Sequence, residues 1–275
     1  MKSNDPHPVT GQVFPSPVPA GAGWPGDPAT SATPVARSAE DVAALADSAG
    51  DVAELDARVS VCRACDRLVA WRESVATTGR RASFADQPYW GRPGPGFGDS
   101  EPKVLVVGLA PAANGTNRTG RMFTGDRSGD WIYAALHRGG YARLATSEHS
   151  GDGQRLRGVR IVAAVRCAPP GNKPEAFERA ACRPWLQRDL ALAEPHLRSI
   201  LALGSIGWDA TLAAARALRW GVDRPKPQFG HGAQTLLHAL SGKPISLLGS
   251  YHVSQQNTFT GRLTEPMLDE VIARL

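Results

Sequence analysis

Two side chains in Val104–Asp130, VLVVGLAPAANGTNRTGRMFTGDRSGD, carry the chemistry of a reaction site. They are an aromatic plane, Phe123, and a carboxylate able to act, Asp126. Around them lie glycine, alanine, threonine and asparagine, residues small enough for backbone to approach a ligand closely. The segment begins as an apolar run that stops at Gly108, and a helix-like pattern starts again near Gly129. A loop of that length inside a compact domain usually serves a function.

Four cysteines form the second chemical set: Cys62 and Cys65 in a C-x2-C knuckle, then Cys167 and Cys182 with 14 residues between them. A knuckle brings two sulfurs within reach of one metal, and four thiolates complete a closed site. Three readings stay open on spacing alone: buried unliganded thiols, zinc, or a [4Fe–4S] cluster. The loose second pair and the prolines after Cys167 favour the cluster, held by separate segments.

The elements that must hold these groups read as alternating strand and helix. Candidate strands are 103–109, 159–166, 199–203 and 244–249, and candidate helices 129–138, 175–197, 206–218 and 264–275. Continuous Val/Ile/Leu runs suit parallel strands buried on both faces. The pattern predicts an α/β three-layer sandwich around a central, mostly parallel four-stranded sheet. In such sheets the ligand site lies past the carboxyl ends of the strands. Two further helices are expected near 40–48 and 51–60, and another, carrying Leu68, Val69 and Trp71, after the C-x2-C break. Residues 1–40 hold eight prolines and four glycines, so they read as an irregular arm, draped on the body through Phe14 and Trp24. Residues 41–275 then form one domain. Pro88–Gly98 reads as an irregular loop on that body, and Ser147–Arg157 as a surface loop.

The charge is uneven. Residues 1–56 carry two basic and eight acidic side chains, which leaves 29 basic against 18 acidic beyond them. A body at +11 favours a polyanionic partner. The start MKSNDPHPVT has no apolar h-region, and no apolar run approaches the ~20 residues that span a bilayer. A cytoplasmic protein without a membrane partner is expected, its thiols reduced.

Together these segments resemble the iron–sulfur uracil-DNA glycosylases of type B, family 5. Gly108-Leu-Ala-Pro-Ala-Ala-Asn-Gly-Thr-Asn-Arg-Thr-Gly-Arg121 is similar to that family's first motif, and Tyr251-His-Val-Ser-Gln-Gln-Asn257 to its second. Cys167-Ala-Pro-Pro-Gly-Asn172-Lys-Pro174 looks like the segment joining a cluster ligand to the base-reading asparagine. Two departures stand out: Asn114 where the family usually has His, and Val253 where it usually has Pro.

The resemblance implies a monomer that flips a deaminated base out of DNA and hydrolyses its N-glycosidic bond. Asn172 would read uracil through its paired acceptor and donors, and would accept hypoxanthine, which presents the same edge. Phe123 would stack on the base, with Ala112, Ala113 and Asn114 shaping a wide pocket. His252 would donate to a base carbonyl as charge builds there. Asp126 would position water or steady the cationic sugar. Arg118, Arg121, Ser254 and Arg262 suit phosphate contacts, and the loop 255–261 could probe the gap left by the base. The four cysteines would hold the cluster. The two departures admit an alternative, an iron–sulfur DNA-binding protein without activity.

Overall fold

The computed structural model describes residues 4–275. In chain order it runs β1 (Asn4–Pro6), β2 (Val13–Pro15), α1 (Ala39–Asp47), α2 (Val52–Ser60), α3 (Asp66–Thr77), β3 (Phe97–Gly98) and β4 (Val104–Gly108). There follow α4 (Thr116–Thr119), α5 (Arg127–Arg138), β5 (Val159–Ala163), α6 (Ala176–Ala193), β6 (Ser199–Leu203) and α7 (Gly204–Ala217). The chain closes with β7 (Gly221–Val222), β8 (Gln234–His238), β9 (Pro244–Ser250), α8 (Gln255–Phe259) and α9 (Glu265–Ile272).

The sheet has seven strands in the order β3-β5-β4-β6-β9-β8-β7, not the expected four. The expected strands are its centre: β5, β4, β6 and β9 run parallel, with Val106 opposite both Ile161 and Leu201. The three additions are antiparallel edges. They escape a sequence reading because two of them span two residues each, and β8 is mostly exposed.

Alternate residues of one strand feed two cores, as the pleat requires. Val104 and Val106 of β4 join Ile132 and Leu136 of α5 and Leu268 and Val271 of α9. Leu105 and Val107 join Leu186 and Leu190 of α6 and Trp208 and Leu212 of α7. Each fully buried side chain of this kind contributes about 1.5–3 kcal/mol. That makes the three layers.

The arm is ordered. β1 pairs with β2, and Phe14, Val18 and Trp24 bury themselves with Trp90 from the Pro88–Gly98 segment. The 147–157 segment is less superficial than expected. Ser147, His149, Ser150 and Gln154 are all buried, because the arm and Arg121 close over them. No helix among the described residues is long and apolar enough to cross a membrane.

Candidate active site

β4 ends at Gly108 because the next structure on that face is an aromatic ring: a Cβ there would stand 2.9 Å from Phe123 Cζ. Phe123 itself has φ 52°, a left-handed backbone that a bulky residue adopts only when its surroundings dictate it. They do so from both sides. Tyr133 Oη donates to Met122 O at 2.9 Å, and a side chain on Gly129, in the first turn of α5, would collide with the Phe123 carbonyl. Asn172, in a short turn over Pro170–Asn172, has φ 57°. Both residues line one cavity of about 250 Å³, with Leu109, Ala110, Ala112, Thr116, Met122, Asp126, Ser128, His252 and Ser254. It lies past the carboxyl ends of β4 and β9, where an open α/β sheet is expected to bind.

Asp126 does two things at once. Its Oδ1 accepts from Gly129 N at 2.9 Å and so caps α5, while its Oδ2 occupies the space a Cβ on Gly115 would need. Burial raises its pKa above the ordinary carboxylate value. The same carboxylate also faces an outer cleft of about 530 Å³ lined by Gln87, Asn114 and Arg127. It stands in the wall between the two spaces.

His252 follows β9 and is held close to α7: a Cβ on Gly204 (φ 84°) would lie 3.3 Å from the His252 Cβ. Asn257 Nδ2 donates to His252 O at 2.8 Å. Val253, where the family usually has Pro, is fully buried in the core, so burial anchors the loop in place of a restricted torsion. Desolvation lowers the His252 pKa to about 4, which leaves the ring neutral at pH 7. Its centroid lies 6.1 Å from that of Phe123. Among the described residues the Asn172 carboxamide has no hydrogen-bond partner; its loop is fixed instead by Arg67. That guanidinium pairs with Glu178 at 2.8 Å and Glu175 at 3.0 Å, and donates to Lys173 O at 3.4 Å.

Four other expected residues are elsewhere. Ala113 packs with Val75, Ala76 and Tyr89, and Asn114 Oδ1 accepts from Tyr89 Oη at 2.8 Å on the outer cleft. The turn after Ala112 rotates both away from the cavity, with Gly115 N and Asn117 N donating to Ala112 O. Arg118 and Arg121 are buried struts rather than surface cations. Arg118 donates to Gln87 Oε1 at 2.8 Å and Gly125 O at 2.9 Å and lies over Phe84. Arg121 is taken up by Thr124, Ser147 and Asp152. Ser254 stays at the cavity rim, and the exposed Arg262 stacks on Tyr251 at 4.6 Å. The 255–261 loop contains α8, which carries the exposed ring of Phe259. Sequence reasoning missed Thr116, Met122 and Ser128 as cavity lining. Only Gly115 signalled a close approach, by its place inside the motif.

The cysteines converge. Cys62, Cys65, Cys167 and Cys182 line one cavity with Leu68, Arg72, Val165 and Trp185, and all four are free. Cys65 caps α3, and Cys182 comes from α6. Arg72 Nη1 donates to Cys167 Sγ at 2.8 Å, and Arg166 N to Cys182 Sγ at 3.3 Å. Burial, then the nearby Cys167, pushes Cys62 up to about 11 and Cys65 up to about 12.

The model of the uracil DNA glycosylase superfamily matches residues 95–275. A type-5 uracil-DNA glycosylase of Mycobacterium bovis is 57% identical over 265 residues, 96% of each chain. One from Thermus thermophilus is 49% identical over 214 residues, 78% of this chain and 92% of the relative. One from Pyrobaculum aerophilum is 41% identical over 217 residues, 79% of this chain and 88% of the relative.

Proposed function

This chain belongs to the type-5 uracil-DNA glycosylases, and we propose that the cavity between Asn172, Phe123 and His252 holds uracil while Asp126 directs water at its sugar. As a glycosylase it hydrolyses the N-glycosyl bond that joins uracil to deoxyribose. The observation that carries the site assignment is that these four side chains, from three separate loops, line one cavity at the carboxyl end of the sheet.

A base inside a duplex cannot reach a cavity walled on several sides, so the nucleotide is flipped into it. Phe123 replaces the stacking the base loses. The Asn172 carboxamide meets the imide N–H and the carbonyl beside it, and hypoxanthine, which shows the same edge, is a second substrate. Neutral His252 offers one N–H to the base oxygen on which charge accumulates as the bond breaks. A preorganised donor of that kind supplies about 3 kcal/mol. Asp126, its pKa raised by burial, holds a proton more readily than a surface aspartate does. That suits it to accept one from water entering through the outer cleft as the cationic sugar forms. Ser254, Arg262 and the basic body face the DNA.

The four cysteines would hold a [4Fe–4S] cluster. All four line one cavity, and two of their sulfurs accept N–H bonds. Burial raises the Cys62 and Cys65 thiols above the ordinary range, and a bound metal would supply the charge that lets them ligate as thiolates. When bound, the cluster supplies a tie between α3, α6 and the 167–172 segment. Free thiols suit a reducing, cytoplasmic setting.

Purified protein incubated with duplex DNA bearing one uracil should yield alkali-labile abasic sites. Cleavage confined to free nucleosides would reject the reading. Iron and acid-labile sulfide in the same preparation would support the cluster, and zinc would reject it.

A further inference from the structure

We propose that Arg72 is the buried counter-charge of the cysteine site and the positioning residue that couples it to the base cavity. The proposal rests on the reading of Cys62, Cys65, Cys167 and Cys182 as cluster ligands.

The charge argument comes first. Arg72 is 1% exposed, and among the described residues it pairs with no carboxylate. Two other buried arginines are balanced by carboxylates: Arg160 by Asp56 at 2.7 Å and Asp189 at 2.9 Å, and Arg166 by Asp189. A guanidinium removed from water needs an anion beside it. What Arg72 reaches is Cys167 Sγ, 2.8 Å from Nη1, and Cys62 O, 3.0 Å from Nη2, while Nε is buried without a partner. The anion that completes it is sulfur ligand charge. A cation donating to a ligating sulfur also favours the reduced centre, because hydrogen bonds and net charge set a cluster's potential.

The second half lies in the backbone of the same residue. Asn117, itself 1% exposed, donates Nδ2 to Arg72 O at 3.1 Å. Asn117 N then donates to Ala112 O at 3.2 Å, and Ala112 lines the base cavity. Three hydrogen bonds therefore run from a cysteine sulfur to the wall that faces the base. With the sulfurs loaded, Arg72 is balanced and α3 holds the motif loop. With the sulfurs empty, Arg72 loses the ligand charge it faces, and α3 and residues 112–119 loosen together.

The test uses purified holoprotein and the substitutions Arg72→Lys, Arg72→Gln and Arg72→Met. Iron per chain and the midpoint potential of the cluster are measured for each. The midpoint should move negative in the order Lys, Gln, Met, and iron retained after a fixed exposure to EDTA should fall several-fold in the Met variant. Equal iron loss in all three with no shift in potential would mean ordinary packing and overturn the proposal. If the variants do not fold, hydrogen exchange on the unsubstituted protein before and after iron removal decides. Protection of 66–77 and 112–119 should fall together; an unchanged 112–119 overturns the coupling. Asn117→Ala should keep the wild-type potential while exchange at 112–119 no longer responds to iron, and a continued response also overturns it. An unsubstituted protein without iron or sulfide would instead overturn the cluster reading itself, whereas a loaded protein insensitive to Arg72 removes only this proposal.

Discussion

The cavity around Asn172 and the cavity around Cys167 are five residues apart in the chain and are made of opposite materials. The first is walled by loops. Two of its side chains, Phe123 and Asn172, sit on left-handed backbone, and its carboxamide is left without a protein partner. The second is walled by α3, α6 and apolar side chains such as Leu68, Val165 and Trp185, with donors already placed on two of its sulfurs. One is prepared to exchange its contents, and the other to keep them. Left-handed backbone gathers where a ligand must be admitted and released. Burial gathers around the sulfurs, where the Nε atoms of Arg72 and Arg166 and Nε1 of Trp185 have no partner among the described residues.

If that contrast holds, substitutions in the base cavity should change turnover before stability, and those in the cysteine cavity the reverse. The largest effect is expected at Asp126. Asparagine keeps the helix cap, so Asp126→Asn should preserve the melting temperature and uracil-DNA binding while kcat falls about 10²–10⁴-fold. Single-turnover kinetics beside a binding titration check this, and an equal loss of affinity would break the assignment. Because burial raises the Asp126 pKa, the acid limb of wild-type activity should lie above the ordinary carboxylate range and vanish in this variant.

Next, Asn172→Ala should lower kcat/KM on uracil by roughly 100-fold, about 3 kcal/mol, and remove the preference for uracil over cytosine. A variant that stays selective would move base reading elsewhere. Phe123→Ala should weaken the response to substrate concentration by about 1–3 kcal/mol, the worth of one stacked base. On the other side of the comparison, Cys182→Ser should cost about 2 kcal/mol of stability and lower kcat of the folded fraction less than any of the base-cavity substitutions does. A Cys182 variant that is stable but inactive would erase the distinction between the two cavities.

The last effect is one of pH and concerns the burial of three histidines. Burial lowers the pKa of His252 to about 4, of His7 to about 4 and of His149 to about 3. The unfolded chain takes up protons near pH 6.5 while the fold refuses them, so stability is full above that pH and falls as pH drops towards 4. His252 alone contributes a slope of up to about 1.4 kcal/mol per pH unit. Urea titrations at pH 7, 6 and 5 measure it, and a flat profile would mean that water reaches the ring.

The contrast also explains what could be read from the residues alone. The central strands and the helices were legible, because continuous apolar runs and helical spacing are local signals. Phe123, Asp126, Asn172 and His252 were legible because their motifs are contiguous and specific. Ala113, Asn114, Arg118 and Arg121 were misplaced for a shared reason. They lie in the same motif as cavity residues, and which of a loop's side chains turn inward depends on partners far away, here Tyr89, Gln87 and Ser147. An arginine in a glycine-rich loop looks solvated until its burial is seen.

From composition and order alone came a basic α/β body and four cysteines spaced for one site, while Asn172 and His252 stood out through a family resemblance. Each depends on chemistry within a short stretch of chain, where neighbours are known. Tertiary structure decided the rest: the antiparallel edges, the arm folded over His149, the uncompensated Arg72, and the thin wall in which Asp126 stands between two spaces. Those depend on which distant surfaces exclude water together. Burial of that kind belongs to the assembled chain and to no segment of it.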